Sequence, residues 1–224
     1  MDCHFLSATT LFQGASPEEI AQMLSCLQAR ERAFRRDELI YRAGDRAAAL
    51  GLVLEGSVLI ENDDVWGNRS VLDRVELGQI FAETYACVPE ARMMVNVRAA
   101  EAVRILFLDM GKVLTVCSEA CSCHQKLIRN LLSISAQKNL NLSRRIFHTS
   151  AKTIRGRLLS YLSWQSVQAG SRTFEIPFNR QQLADYLGVD RSAMSAELGK
   201  MQKEGLLRTE RNHFVILVQK DEFC

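Results

Sequence analysis

Several kinds of sequence feature are missing from this chain of 224 residues. It has no run of about 18 or more apolar residues, which argues against a membrane-spanning helix, and residues 1–12 do not follow the pattern of a signal peptide. These absences predict a cytoplasmic protein that does not use a membrane. The chain also has no GxSxG, GxxxxGK or HExxH motif and no clear dinucleotide fingerprint, and each of these places a group for catalysis or phosphate binding. We therefore expect that the protein is not an enzyme.

Seven cysteines are an odd number in a chain long enough to fold without disulfides, so reduced thiols are expected. Four potential metal ligands fall close together in the sequence VCSEACSCH: Cys117, Cys121, Cys123 and His124. Thiols and an imidazole at such spacing can bind zinc or an iron–sulfur cluster, or sense oxidants. The spacing contains no CxxC pair, however, and cysteine is also a common buried apolar residue. A metal or redox site and a purely structural role both remain open.

What the sequence does contain is the pattern of a helix-turn-helix over residues 179–207. Asn179 can cap a first helix, with Gln182 in the capping-box position three residues later. Gly188 suits the left-handed turn that ends this helix, and Asp190 can cap a second one. Three apolar residues with i, i+4, i+7 spacing form the predicted buried stripe of the second helix: Met194, Leu198 and Met201.

The opposite face of the second helix is slim or basic and has no carboxylate. Its residues are Arg191, Ser192, Ser195, Ala196, Gly199, Lys200 and Lys203. Such a face fits the DNA major groove, and Arg191 is placed to donate a bidentate pair to guanine. Further DNA contacts are predicted from the first helix and from basic residues beyond the second: Asn179, Arg180, Gln181, Arg208 and Arg211. An ordinary helical hairpin with a solvated face is the alternative.

A β-wing is predicted after the second helix, which favours DNA binding over the plain hairpin. Leu207–Thr209 and Phe214–Leu217 have the composition of two short strands, and Thr173–Phe178 supplies another ahead of the helices. The charges agree with this prediction. Residues 1–143 hold 15 Lys and Arg against 18 Asp and Glu, whereas residues 144–224 hold 13 against 8. The carboxyl-terminal part is therefore the candidate nucleic-acid binder.

The amino-terminal part is predicted to be a β-sandwich or jelly roll. Over residues 33–108 the chain breaks into short runs rich in Val, Ile, Leu and Phe that are separated by glycines. A hairpin tip is expected at 64–68. Ahead of the strands, Ser16, Pro17 and Glu19 have the arrangement that begins a short helix with a capping box.

A long helix is predicted over residues 124–148, between a barrel domain at 1–123 and a DNA-binding domain at 149–224, which makes the fold class α+β. One apolar row of this helix and its neighbouring row are Leu127, Leu131 and Ile134, and Ile128, Leu132, Leu142 and Ile146. Pairing with a second copy would remove this wide band from water, so a homodimer is expected. Packing of the band on the chain's own barrel is the alternative.

The chain resembles the Crp/Fnr family of bacterial transcription regulators in the order of its predicted parts. These are a jelly-roll (double-stranded β-helix) domain like those that bind cyclic nucleotides, a long dimerisation helix and a winged helix-turn-helix. Four motifs carry the resemblance: RAGD at 42–45, GLVLEGSVLI at 51–60, GQIFAETYAC at 78–87 and NRQQLADYLGVDRSAMSAEL at 179–198. The resemblance implies a homodimer that binds a palindromic site in double-stranded DNA, with half-sites about 34 Å apart. It also implies contact with RNA polymerase and control by a small-molecule effector.

Cyclic-nucleotide-binding members of that family hold the phosphate with a glycine and a glutamate, followed by an arginine and a serine. Gly78 matches the glycine, but Gln79 replaces the glutamate, and Met93 and Met94 stand at the arginine and serine positions. Because thioethers cannot compensate a buried phosphate charge, cyclic AMP is not expected as the effector. A register shift that brings in Arg92 leaves an anionic, nucleotide-like ligand as the alternative. The residues expected to form the effector pocket are Gly78, Gln79, Glu83, Arg92, Met93 and Met94.

Overall fold

The computed structural model describes residues 2–63, 66, 69–88, 90–114 and 122–217. The chain separates into two compact units, Met1–Gln137 and Lys138–Cys224. Helices and antiparallel sheets occur in both, which confirms the α+β prediction. Among the described residues, no helix is both long and apolar enough to span a bilayer.

The first unit begins with helices that pack against a β-roll. Its helices are α1 (Cys3–Ser7), α2 (Pro17–Cys26), α3 (Glu83–Cys87), α4 (Met110–Leu114) and the beginning of α5 (Ser122–Thr149). Its strands are β1 (Arg30–Phe34), β2 (Leu39–Tyr41), β3 (Ala49–Glu55), β4 (Val58–Asp63), β5 (Arg69–Val75), β6 (Ile80–Phe81), β7 (Asn96–Ala99) and β8 (Val103–Asp109). The capping box predicted for α2 is confirmed, because Ser16 and Glu19 exchange side-chain and backbone hydrogen bonds. The predicted hairpin tip falls outside the described residues except for Trp66.

Two four-stranded antiparallel sheets form the roll, with the orders β1-β8-β3-β6 and β2-β7-β4-β5. The first sheet is apolar on both faces. Val53 and Ile105 belong to the cluster inside the roll, whereas Leu52 and Leu106 belong to the cluster shared with the helices. All four side chains are fully buried. Burial on both faces explains why the β3 and β8 sequences are nearly continuous apolar runs.

Helix α5 divides its apolar residues between two environments. Leu127 and Leu131 are at most 4% exposed and pack into the cluster of the first unit. Leu132, Leu142 and Ile146 are 60% to 69% exposed. The first row therefore packs on the chain's own barrel, as the alternative prediction stated, while most of the second row is left open.

The second unit is built around a helix-turn-helix and a three-stranded sheet. Its elements after α5 are α6 (Ile154–Ala169), β9 (Thr173–Glu175), α7 (Arg180–Leu187), α8 (Arg191–Lys203), β10 (Leu207–Glu210) and β11 (His213–Ile216). The sheet has the order β10-β11-β9. Leu158, Tyr161, Leu183 and Phe214 are among the residues of one apolar core that draws on both helices and strands.

The predicted strand bounds in this unit need correction. The strand expected over Thr173–Phe178 ends at Glu175, shortly before Pro177, which has no amide to donate to a sheet. The wing strands extend to Glu210 and begin again at His213, so the expected Leu207–Thr209 strand was too short and Leu217 lies outside its strand. Arg211 adopts a φ of 51°, and this left-handed residue closes a turn of only two residues.

Candidate nucleic-acid interface

Side-chain caps fix the ends of the helix-turn-helix. Asn179 Oδ1 accepts a hydrogen bond from the Gln182 amide, and Gln182 Oε1 accepts one from the Asn179 amide. Helix α7 ends at Gly188, whose φ of 63° is a left-handed conformation that glycine adopts without strain. Asp190 then caps α8 by accepting a hydrogen bond from the Ala193 amide. All of these predicted caps are confirmed.

Helix α8 is amphipathic as predicted. Met194, Leu198 and Met201 are at most 2% exposed and belong to the core of the second unit. The opposite side is exposed and carries Arg191, Ser192, Ser195, Ala196, Lys200 and Lys203. It offers guanidinium, hydroxyl and ammonium donors on a slim helix, which is the combination that base edges and phosphates in the major groove accept.

The wing adds further basic side chains. Strands β10 and β11 pair from Leu207 with Ile216 to Glu210 with His213. Arg208 lies exposed on β10, and Arg211 lies exposed in the turn of the wing. Both predicted DNA-binding residues therefore present their charge to solvent.

The beginnings of α7 and α8 share an open cleft of about 680 Å³. Its polar lining includes the predicted DNA-binding residues Asn179, Arg180, Gln181, Arg191 and Arg211. Three guanidinium groups with helix N-termini beside them form a favourable environment for an anion such as a phosphate.

Arg180 is the most enclosed member of this cleft. Its Nη2 donates to Thr209 Oγ1 at 2.7 Å, and its guanidinium lies 5.1 Å from the centroid of the Phe214 ring. Burial lowers the pKa of Arg180, although a guanidinium keeps its proton at neutral pH. Among the described residues, Nη1 is buried without a hydrogen-bond partner. Arg180 thus anchors the wing and keeps one buried donor that is unused within the described residues.

The end of α7 is held by two arginines that the sequence pattern did not single out. Arg157, on α6, donates from Nη1 to the carbonyls of Leu187 at 2.9 Å and Gly188 at 3.0 Å. Arg145, on α5, donates to two carbonyls in the last turn of α7, both at 3.1 Å. Because the last carbonyls of a helix have no intrahelical partner and carry partial negative charge, these cations stabilise the turn before α8.

A third such arginine holds α8 itself. Arg155, on α6, donates to Glu197 at 2.5 Å and makes a bidentate pair with Glu204 at 2.8 Å. The hydrogen bonds from Arg155 lower the pKa of the Glu204 carboxyl, so Glu204 stays ionised to lower pH. The seven-residue spacing of Glu197 and Glu204 indicates that they lie on the same flank of α8. No local sequence pattern indicates that their partner is Arg155.

The effector-pocket residues of the β5–β6 region have their own hydrogen bonds. The Gly78 amide donates to the Val53 carbonyl at 2.9 Å. Gln79 Oε1 accepts from the Glu76 amide at 2.9 Å. Glu83, in the first turn of α3, is only 4% exposed. The Gln79 side chain is therefore engaged in its own turn.

The remaining effector-pocket residues lie ahead of β7. Arg92 Nη1 donates to the Gly44 carbonyl at 2.9 Å, on an exposed surface. Met93 is 3% exposed and belongs to the apolar cluster inside the roll, whereas Met94 is 77% exposed. The Met94 amide donates to the hydroxyl of Tyr85, on α3, at 3.4 Å.

The predicted metal or redox cluster is only partly described. Cys117 and Cys121 lie outside the described residues, as does the side chain of Cys123. His124 is 7% exposed in the first turns of α5. Within the described part of the chain, no group of three or more His, Cys, Asp or Glu side chains is arranged to hold a metal ion. The metal and redox interpretation stays a prediction.

Comparison with known protein families identifies both parts of the chain. Residues 31–120 match the family described as cyclic nucleotide-binding domain. Residues 156–222 match the family described as Crp-like helix-turn-helix domain.

Individual relatives agree with this division. The chain is 25% identical over 203 residues to the cyclic AMP receptor protein of Thermus thermophilus, covering 91% of this chain and 90% of that protein. It is 29% identical over 132 residues to a putative potassium channel protein of Rhodopseudomonas palustris, but spans only 31% of that protein's length. Among solved structures, CprK complexed with OCPA has the same fold, with a TM-score of 0.62, 15% identity and coverage of 88% of this chain and 89% of that one. From both domain matches, in the order that the fold displays, the chain belongs to the Crp/Fnr family of transcriptional regulators.

Proposed function

We propose that the protein regulates transcription as a homodimer that reads a palindromic DNA site through α8, and that it acts by binding rather than catalysis. The observation that carries the proposal is the exposed, carboxylate-free side of α8 that begins at Arg191. The adjoining cleft with its three arginines supports it, because phosphate contacts position a recognition helix over base edges. Contact with RNA polymerase stays a prediction from the family.

The homodimer is supported by the open side of α5. Ile128, Leu132, Leu142 and Ile146 are separated by 4, 10 and 4 residues, which fits the 3–4 repeat of a coiled-coil seam in which Ser135 and Asn139 occupy the two intervening positions. Burial of several hundred Å² of apolar surface per subunit stabilises a pair by several kcal/mol at about 25 cal/mol per Å², before the costs of association. Two α8 helices related by a twofold axis then meet successive major grooves.

The effector that we propose is not cyclic AMP. Met93 fills part of the roll interior where a phosphate would need a cation, and the Arg92 guanidinium already has the Gly44 carbonyl as its acceptor. CprK, which has this fold, is described as complexed with OCPA. An effector controls DNA binding only if it prefers one of two conformations of the protein.

The DNA-binding proposal is tested by selecting duplexes from a randomised pool with the purified protein. We expect enrichment of a twofold-symmetric motif whose half-sites lie about one helical turn apart. Recovery of sequences with no shared motif would contradict sequence-specific binding.

The proposal about the effector has its own test. Labelled cyclic AMP should show no saturable binding at micromolar protein, and the affinity for the selected duplex should not change when it is added. Saturable binding would overturn this part of the proposal without affecting the DNA-binding part.

A further inference from the structure

Arg155 connects α6 to Glu197 on α8 and to Glu204, the residue that caps the end of α8. Its Nε donates to Glu197 Oε1, and its Nη1 and Nη2 donate to the two oxygens of Glu204. Glu197 and Glu204 follow Arg155 in the sequence by 42 and 49 residues. Every donor edge of the guanidinium therefore points at the helix that we propose reads DNA.

The geometry restrains α8 in two ways. Glu197 and Glu204 are seven residues apart, so they lie two turns apart on the same flank, about 10 Å along the axis. The core packing of α8 limits its movement, and one ion pair would add a restraint at a single point only. Two contacts to one planar, rigid guanidinium resist both roll and tilt of the helix, because the fork has a fixed direction for each donor.

The contacts are partly sheltered from solvent. The Glu197 side chain is 17% exposed and that of Arg155 is 36% exposed, while that of Glu204 is 46% exposed. Lys200 Nζ lies 3.7 Å from Glu197, and its charge also helps to lower the pKa of Glu204. Without Arg155, Glu204 would lose its two hydrogen bonds and Glu197 would keep only the longer contact with Lys200.

We propose that Arg155 is a positioning residue that fixes the roll of α8 and thereby determines how well the protein discriminates its operator from other DNA. This inference rests on the proposed function. Arg155 reads no base itself. It sets the direction in which Arg191, Ser192 and Ser195 project from the opposite side of the helix, and hydrogen bonds to base edges depend steeply on direction.

The test compares Arg155→Ala with Arg172→Ala, which removes the same charge from an exposed position ahead of β9. The measured quantity is the ratio of affinities for the selected duplex and for a scrambled duplex, at fixed salt. We expect Arg155→Ala to lower this ratio by about tenfold, the size of one lost bidentate base contact, and Arg172→Ala to leave it unchanged. An unchanged ratio in Arg155→Ala would overturn the inference.

A charge-balanced variant separates orientation from electrostatics. Arg155→Ala combined with Glu197→Ala restores the net charge of the site but not the restraint, so the ratio should stay low. Recovery of the ratio in the double variant would show that only charge matters and would overturn the inference. Arg155→Lys should recover part of the ratio, because an ammonium keeps the charge but lacks the rigid fork that directs separate donors to both carboxylates. Because Arg155→Lys keeps an ion pair, its affinity ratio tests the inference even if thermal denaturation shows that the alanine variants are unfolded.

The inference and the proposed function fail in different ways. If the unmodified protein does not discriminate the selected duplex, the proposed function is wrong. If it discriminates and Arg155→Ala does so equally well, only the role of Arg155 is wrong.

Discussion

His148, near the end of α5, is a buried base whose surroundings favour the neutral form. It is 1% exposed and its Nδ1 lies 3.1 Å from Ser160 Oγ. The rings of Tyr161 and Trp164 meet it edge-on at centroid distances of 5.5 and 5.8 Å. Desolvation lowers the pKa of His148 below its ordinary value of 6.5. Its Nε2 has no hydrogen-bond partner among the described residues.

This burial predicts a loss of stability in mild acid. As the pH falls below 6.5, the unfolded chain takes up a proton that the folded unit accepts only at lower pH, so the free energy of unfolding decreases. Denaturant unfolding followed by Trp164 fluorescence, in a Trp66→Phe background, should show the decrease. His148→Phe should flatten it, whereas the control His213→Gln should retain it. An equally steep decrease in His148→Phe would contradict the account.

Arg191 carries the predicted base contact of α8. It is exposed in the first turn, so replacing it leaves no cavity. Arg191→Ala should weaken binding to the selected duplex by about 1–3 kcal/mol and relax the preference at one base position. Fluorescence anisotropy with a series of singly substituted duplexes measures both effects. If affinity and base preference match those of the unmodified protein, Arg191 does not read a base.

Gly51 makes room for an aromatic ring inside the roll. A Cβ at this position would clash with the Phe81 ring. Phe81 is 1% exposed and contacts the rings of Tyr41 and Phe107. Gly51→Ala should therefore destabilise the protein by about 1–3 kcal/mol through overpacking. Gly199→Ala is the matched control, since nothing lies within 4 Å of its added Cβ, and it should not destabilise a helix. Equal thermal stability of the two variants would contradict this account of Gly51.

At the scale of elements, α5 is the helix on which the dimer proposal depends. Leu142→Glu combined with Ile146→Glu places charge on two exposed positions of the proposed seam. The variant should keep its fold but dissociate into monomers, because the pair would have to bury two carboxylates. Sedimentation equilibrium measures the mass.

Leu140→Glu is the control for this experiment. Leu140 is 50% exposed and lies about a third of a turn away from the proposed seam. Its substitution should leave the dimer intact. A dimer that persists in the double variant, or an unmodified protein that is a monomer, would contradict the proposed seam.

The elements that could be predicted from the sequence are those whose signals are local. Asn179, Gly188 and Asp190 act on backbone groups within four residues, and they predicted both ends of α7 and the beginning of α8 correctly. Wing bounds were less predictable, because the two-residue turn depends on a left-handed Arg211 rather than on a glycine. The role of Arg155 could not be predicted, since its partners lie on a distant helix.

Helix α5 shows the same limit of local patterns. Periodicity grouped its apolar residues into two rows but could not assign each row to a partner. Leu127 and Leu131 are covered by the helices and strands of the first unit, which are remote in sequence. Ile146 is exposed on the same helix with no local difference in composition to distinguish it.

At the scale of the whole molecule, the acidic and basic residues are unevenly distributed between the two parts of the chain. The acidic excess lies in residues 1–143 and the basic excess in residues 144–224. The basic part contains the exposed side of α8, the wing and the cleft with its three arginines. Contacts between this part and phosphates release counterions, so the affinity for DNA should fall linearly with salt on logarithmic axes.

The central claim is that two copies of the chain bind one duplex through their α8 helices. The most direct measurement is the affinity and stoichiometry of the purified protein on the selected duplex at several salt concentrations, beside a duplex with one half-site scrambled. We predict two chains per duplex, an affinity that falls steeply with salt, and a large loss of affinity on the scrambled duplex. Salt-independent binding, or equal binding to both duplexes, would contradict the claim.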